Sequence, residues 1–284
     1  MKAPPLAYIR ARSLAEVFTL LETHGDNAKV LAGGQSLIAA LNMRLSAPEL
    51  LIDITRIKDL SGIEVRNGTV RIGALTTHAE IERSPEIRKF LPLLAQAAPH
   101  IAHPAIRNAG TIGGSLALAD PAAEWPACCV ALDAQFGVAG KVGTRRVAAR
   151  DFFKGLYATA LRPNEVLTHI EITVPGPEYR SAFVELAQRR GDYAIAGVAA
   201  VAKRAGGTLT DLRLAFLGMG QAPVLARSAM AAMEGKRAAA DTIAAASEAL
   251  SRDLDPAPDL YSSAATKLHL ARVLTGRALA ALAA

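Results

Sequence analysis

The spacing of apolar positions changes repeatedly along the first 55 residues. "LAYI" is a short extended run. Helical spacing follows over "LAEVFTLLETH", with Ser13 and Glu16 fitting a capping box at its start and Gly25 its stop. "AKVLA" reads as a second strand that runs straight into Gly33-Gly34. "IAALNMRL" reads as a helix and "LLIDI" as a third strand. This alternation predicts a sheet backed by helices.

Strict alternation then takes over. "IEVR" and "TVRIGA" flank Asn67-Gly68, the strongest short hairpin signal. Thr77 with Glu80 caps another short helix, and "LPLLAQAAPHIA" is helical up to Pro104. A helix is predicted near "EWPACCVALDA", and strands at "AQFGVAG", "KVGTRRV" and "EVLTHIEITVP". The turn-rich "PGPE" at 175–178 is the expected domain boundary. Beyond it, "RSAFVELAQRR", "AIAGVAAVAKR" and "LTDLRLAFLG" predict three antiparallel strands, with Gly206-Gly207 at the second turn. From about residue 224 the chain is alanine-rich and helical, with stops at Gly235 and around "DPAPD". The expected organisation is therefore a domain over 1–176, with subdomains of about 1–55 and 56–176, and a second domain over 177–284.

Composition narrows the chemistry. Half the residues are hydrophobic, ample for a packed core, yet no uninterrupted apolar run reaches the roughly 18 residues of a membrane span. The N-terminus lacks the apolar run of a signal peptide, so the cytoplasm is the expected location. The net charge of +6 is scattered, and aromatics are only 5%, which argues against a nucleic-acid groove. The only cysteines are the neighbours Cys128 and Cys129. Two thiols cannot fill a four-ligand cluster or zinc site, so they read as buried apolar side chains. His78, His100 and His103 suggest no metal triad and read as structural or surface groups. No nucleophile, acid/base pair or metal set stands out, so redox chemistry here requires a bound cofactor.

One device occurs twice. "VLAGGQSLIAAL" and "RNAGTIGGSLALADP" each place a glycine pair, eighty residues apart, where the backbone can turn sharply and approach a ligand. Successive free N–H groups in such a turn form a concave nest for phosphate oxygens. Both loops are expected to follow strands, and Ser36, Thr111 and Ser115 add hydroxyls. A side chain at Gly33 or Gly114 would obstruct that approach, and would clash further where φ is positive. Neither G-x-G-x-x-G nor G-x-x-x-x-G-K-[ST] is present, which disfavours a nicotinamide-binding Rossmann half and a P-loop.

"VLAGGQSLIAALNMRL", "RNAGTIGGSLALADPAAEWPA" and "RRGDYAIAGVAA", in that order, resemble the flavin-binding medium subunits of the molybdenum hydroxylases. The resemblance spans essentially the whole chain. It implies an α+β architecture: an FAD-binding fold of the p-cresol methylhydroxylase and vanillyl-alcohol oxidase type, then a three-stranded antiparallel sheet with a helical bundle. It implies noncovalent FAD, with Ala32, Gly33, Gly34, Gln35 and Ser36 as the first diphosphate loop. Thr111, Ile112, Gly113, Gly114 and Ser115 form the second. By the same resemblance Glu124 holds a sugar or ribityl hydroxyl, Ile101 and Leu167 line the ring, and Tyr193 packs near one flavin face. Gln35 and Ser115 depart from residues common at those positions in the family. The implied role is an electron-transfer subunit. It takes electrons from a small [2Fe-2S] subunit, itself fed by a large molybdopterin subunit, in a dimer of heterotrimers that can associate with a membrane through the complex. Two other readings compete: a stand-alone FAD-dependent oxidoreductase acting on a small substrate, and a nucleotide-binding module without redox function.

Overall fold

Ser13 accepts the Glu16 N–H and starts α1 (Leu14–His24), which buries Val17, Phe18 and Leu21. In the computed structural model, which describes residues 2–284, that apolar stripe packs on a three-stranded parallel sheet. Its strands are β1 (Ala7–Arg10), β2 (Ala28–Leu31) and β3 (Leu50–Asp53), in the order β1-β3-β2. The helix read at "IAALNMRL" is shorter than expected. α2 covers Leu37–Asn42 and stops where Arg44 turns left-handed at φ 59°.

The second sheet is antiparallel. β4 (Ile63–Arg66) and β5 (Thr69–Gly73) form the hairpin, with Asn67 and Gly68 both at positive φ as a tight turn requires. β6 (Gln135–Gly140), β7 (Gly143–Ala148) and β10 (Val166–Thr173) complete the order β4-β5-β10-β6-β7. Between β5 and β6 run α3 (His78–Arg83), α4 (Pro85–Phe90), α5 (Pro92–Ala97), α6 (Pro104–Arg107), α7 (Ile112–Leu118) and α8 (Glu124–Ala131). The single helix expected over 91–102 is α5 followed by a 3₁₀ turn at Ala98–His100. After β7 come α9 (Ala149–Phe152) and a small hairpin, β8 (Phe153–Gly155) with β9 (Ala158–Thr159).

The third sheet carries the three expected long strands, β11 (Tyr179–Ala187), β12 (Ala194–Ala205) and β13 (Thr208–Leu217). Two short strands, β14 (Val224–Leu225) and β15 (Lys236–Arg237), extend it. Along β12 the faces alternate. Ala199 and Val201 join the core that contains α8, whereas Ala196, Val198, Ala200 and Ala202 join a second core with the C-terminal helices. Those helices are α10 (Arg227–Met233), α11 (Ala240–Ala249) and α12 (Ala264–Ala283). Both faces of this sheet are therefore buried, and small residues let helices approach from each side.

α8 is the hinge of the whole arrangement. Every one of its residues, Cys128 and Cys129 included, is buried, because α5 and α7 lie on one side and β12 and β13 on the other. Burial pushes both thiols well above their ordinary range, so they stay protonated packing groups. Helix α8 thus ties α7, which carries the second glycine pair, to the C-terminal sheet.

Candidate functional site

The first glycine loop leaves β2 at Leu31, at the carboxyl end of a parallel strand, where ligands bind in open α/β sheets. Gly34 has φ 73°, a left-handed turn that glycine adopts without strain. Among the described residues, none of the backbone N–H groups of Ala32, Gly33, Gly34, Gln35 and Ser36 donates a hydrogen bond within the chain. Gln35 instead turns its amide back onto the Gly33 carbonyl at 3.0 Å. The loop is half-buried at Ala32–Gly34 and exposed at Gln35 and Ser36. A run of free donors on a turned backbone is the nest that an anion with several oxygens fills.

The second glycine pair does not follow a strand. A helical turn, α6, precedes it, and Gly113 and Gly114 lie in the first turn of α7, capped by Thr111. Its amides are largely spent inside the protein. Ile112 donates to the Thr76 carbonyl at 3.0 Å, Gly113 to Ala74 at 2.8 Å, and Gly114 to the Thr111 hydroxyl at 3.1 Å. Neither Gly33, Gly113 nor Gly114 has positive φ, so the expected conformational strain belongs to Gly34 alone. The other glycines answer to space. A Cβ on Gly113 would stand 2.4 Å from the Ala74 Cβ, and one on Gly33 would stand 2.0 Å from the Ala109 carbonyl oxygen. Gly33 therefore rests directly on the backbone that leads into the second motif. A Cβ on Gly114 would meet the Thr111 hydroxyl at 2.9 Å and would come within 3.9 Å of Ala32. The two motifs, eighty residues apart in sequence, form one cradle. The first supplies free N–H groups; the second supplies a helix start and the close backbone wall.

Two residues behind the second motif keep it in place. His78 donates its backbone N–H to the Gly110 carbonyl at 2.9 Å, and its Nδ1 accepts the indole N–H of Trp125 at 2.9 Å. Burial, with the nearby Arg107 charge, holds the imidazole down at about 4, so it stays neutral.

The remaining expected residues lie outside the two glycine motifs. α7 ends at Ala119, left-handed at φ 55°, and the chain turns through Asp120 to Glu124. Asp120 is not the N-cap of α8; Ala123 is, while Asp120 accepts the Ala122 N–H at 2.9 Å. Glu124 is buried at 8% exposure, and burial, with the Asp120 charge behind it, raises its carboxyl to about 7. Ile101 and Leu167 are both buried in the main core. Gly191, at φ 89°, has its missing side chain 2.6 Å from the Ala102 carbonyl. That contact carries the β11–β12 turn up to the segment after Ile101. Tyr193, on that turn, is 72% exposed. Its phenol is raised by partial burial and then by the charges of Asp120 and Glu124.

Sequence reasoning missed two residues here. Tyr157, left-handed at φ 54° in the β8–β9 turn, places its hydroxyl 3.4 Å from Asp120. The glycine before it, Gly155, was the available signal. Glu185, in the second half of β11, has a side chain only 2% exposed. Its nearest charged-group neighbour, His100, comes from a distant part of the chain, and no local pattern marks it.

The chain matches known proteins over nearly its whole length. The profile of the family described as "FAD binding domain in molybdopterin dehydrogenase" matches residues 4–175, and that of "CO dehydrogenase flavoprotein C-terminal domain" matches 181–282. The 6-hydroxypseudooxynicotine dehydrogenase complex subunit alpha of Paenarthrobacter nicotinovorans is 39% identical over 99% of this chain and 95% of its own length. A carbon monoxide dehydrogenase structure from Hydrogenophaga pseudoflava superposes with a TM-score of 0.97 at 39% identity, over 99% of this chain and 98% of that one. The quinoline 2-oxidoreductase of Pseudomonas putida 86 gives 0.94 at 36% identity, over 100% and 98%.

Proposed function

We propose, from the premise that this chain belongs to the family of FAD-binding subunits of the molybdopterin dehydrogenases, that it is the flavoprotein component of such a complex. It binds one FAD without a covalent bond and relays electrons from a [2Fe-2S] subunit to an external acceptor. The observation that carries the reading is the cradle: five consecutive residues, Ala32–Ser36, with unspent N–H groups against the wall built by Ala109–Gly114.

The chain's residues divide the work. Ala32, Gly33, Gly34, Gln35 and Ser36 hold the diphosphate through backbone N–H groups and the Ser36 hydroxyl. Thr111, Ile112, Gly113, Gly114 and Ser115 bring the N-terminus of α7 to the same anion. Glu124 takes a sugar or ribityl hydroxyl. Ile101 and Leu167 supply apolar contact for the ring, and Tyr193 covers one face of it from the C-terminal domain. Bound FAD supplies the chemistry, since it accepts electrons singly or in pairs and so joins one-electron to two-electron partners. The protein contributes position and electrostatics.

The boundary we favour runs between 1–176 and 177–284. The complex we favour is a dimer of heterotrimers with a small [2Fe-2S] and a large molybdopterin subunit, located in the cytoplasm. No helix among the described residues is long and apolar enough to cross a membrane. A stand-alone oxidoreductase would need its own acid or base at a substrate pocket; the relatives include the alpha subunit of a dehydrogenase complex and a carbon monoxide dehydrogenase medium chain, and do not favour it. Acid precipitation of the purified chain should release intact FAD. The single chain should hold no stoichiometric iron or molybdenum, and substrate should bleach its flavin rapidly only with the other subunits present. Release of FMN, colour retained by the precipitate, or fast bleaching of the isolated chain would overturn the assignment.

A further inference from the structure

The second sheet has an outer face that the cradle does not use. Ile72, Phe136, Val147, Ile170 and Ile172 belong to the main core, as do Ile112 and Leu116 of α7. Side chains alternate along a strand, so Arg71 on β5, Gly137 on β6, Arg146 on β7 and Glu171 on β10 stand on the opposite face. A bulge between Leu167 and His169 interrupts β10, and His169 emerges from it on that same outer face.

Position 137 decides the shape of this face. Gly137 pairs with His169 on one side and with Arg146 on the other. A Cβ there would fall 2.1 Å from the His169 ring, so the ring occupies the space that a side chain would need. Thr168 fixes the ring: its hydroxyl lies 2.9 Å from His169 Nδ1 and donates to the Gly137 carbonyl at 2.9 Å. Arg146 reaches across β6 to Glu171, with a guanidinium nitrogen 2.8 Å from Oε2, and Glu171 Oε1 is 3.5 Å from His169 Nε2. Arg71 is the cross-strand partner of Glu171 but forms no ion pair among the described residues. These side chains line a cavity of about 420 Å³. Arg145 also borders it, but is spent on Glu165 and the Ala160 carbonyl. Burial, then the Arg71 charge, holds the His169 imidazole below its usual range, so it stays neutral and adds no charge. Two guanidiniums therefore share one carboxylate, which leaves a surplus positive charge at a concave surface.

We propose that this cavity is an anion site separate from the glycine cradle, and that it takes the phosphoryl group of a small organic phosphate. Guanidinium forks match phosphate oxygens in both geometry and charge. Glu171 holds one nitrogen of Arg146 and keeps that guanidinium at the cavity. Thr144, two residues along β7 and on the same face, adds a hydroxyl. The volume falls within the roughly 300–1,000 Å³ of small-molecule pockets and exceeds what inorganic phosphate fills, so the ligand is an ester with a body beyond its phosphoryl group. The sheet itself lies between this face and α7, so the site works whether or not the cradle is filled.

The test uses the full chain as purified, with inorganic phosphate and glycerol phosphate titrated by calorimetry at fixed ionic strength. Wild type should bind glycerol phosphate saturably at millimolar ligand, and inorganic phosphate more weakly. Arg71→Gln and Arg146→Gln should each weaken glycerol phosphate by about ten- to a hundredfold, the loss of one hydrogen bond to a charged group. Arg71 forms no ion pair, so its variant should melt like wild type and keeps the test valid if Arg146→Gln does not fold. Gly137→Ala should also weaken binding, because the new methyl group drives the His169 ring toward the cavity. Gly33→Ala, which alters the cradle, should leave glycerol phosphate binding unchanged. No saturable binding to wild type, or binding kept in both arginine variants, would overturn the site. Loss of binding in Gly33→Ala alone would put the anion in the cradle and overturn it as well. Inorganic phosphate that bound as tightly as the ester would refute the organic ligand.

Discussion

Replacing Gly33 by alanine adds one methyl group at the place where the two glycine motifs touch. The new Cβ would lie 2.0 Å from the Ala109 carbonyl oxygen, 2.8 Å from its carbon and 2.9 Å from the Gly110 Cα. Carbon and oxygen in relaxed contact sit about 3.3 Å apart, so the walls must part by roughly 1.3 Å. All three obstacles are backbone, and no rotamer relieves them. Overpacking of this kind costs about 1–3 kcal/mol of stability. The larger loss falls on the ligand. A parting of that size breaks the fit of the amide nest, and two charge-assisted hydrogen bonds lost at about 1.5–3 kcal/mol each lower FAD affinity by roughly two to four orders of magnitude. The assay is the ratio of flavin to protein absorbance after desalting, with FAD titrated back into apoprotein. Melting of the apo form, where no flavin contributes, reports the packing cost alone. Gly114→Val provides the contrast. Its nearest obstacle is the Thr111 hydroxyl, and beyond it the added side chain faces Ala32 across the cradle. It should expel FAD while leaving the C-terminal sheet and bundle folded. A Gly33→Ala protein that kept stoichiometric FAD with wild-type affinity would show that the contact between the motifs does not shape the site.

Two further outcomes test the surroundings of the cradle. Tyr193→Ala should keep most of its FAD, because ring stacking adds only about 0.5–1.5 kcal/mol beyond area burial. It should change the visible flavin spectrum and the rate of reoxidation by NAD, quinone or oxygen, and a wild-type result in both would leave Tyr193 as a packing residue. His78 sets an acid limit on the fold. Its folded value, about 4, lies below the ordinary 6.5, so the unfolded chain binds the extra proton first, and stability is lost as pH falls from 6.5 toward 4. A urea series across that range should show the midpoint dropping in wild type and a flatter limb in His78→Gln; equal slopes would place the sensitivity elsewhere.

Much of the plan was already visible in the chain. Periodicity delivered the β-α-β start, the Asn67-Gly68 hairpin, the three long strands and the helical tail, because each rests on local spacing and local turn chemistry. The glycine pairs marked the cradle, since few other features explain two such pairs in one chain. Their individual reasons were not local. Only Gly34 needs its glycine for φ; Gly33 and Gly113 need theirs because backbone from elsewhere stands where a side chain would go. The second pair also reads like a strand end, because Thr111-Ile112 is β-branched, yet it opens a helix. The hydrogen bonds from Ile112 and Gly113 to Thr76 and Ala74 decide that, and they span more than thirty residues. The same limit hid Glu185. A carboxyl in a strand that alternates in and out looks like solvent-facing polarity. Its burial depends on the 98–100 turn and β12 closing around it. Sequence spacing determines which way a side chain leaves its own element. What it then meets is a property of elements distant in the chain, and the buried carboxyl, the spent amides of the second motif and the contact at Gly33 exist only once those elements have packed.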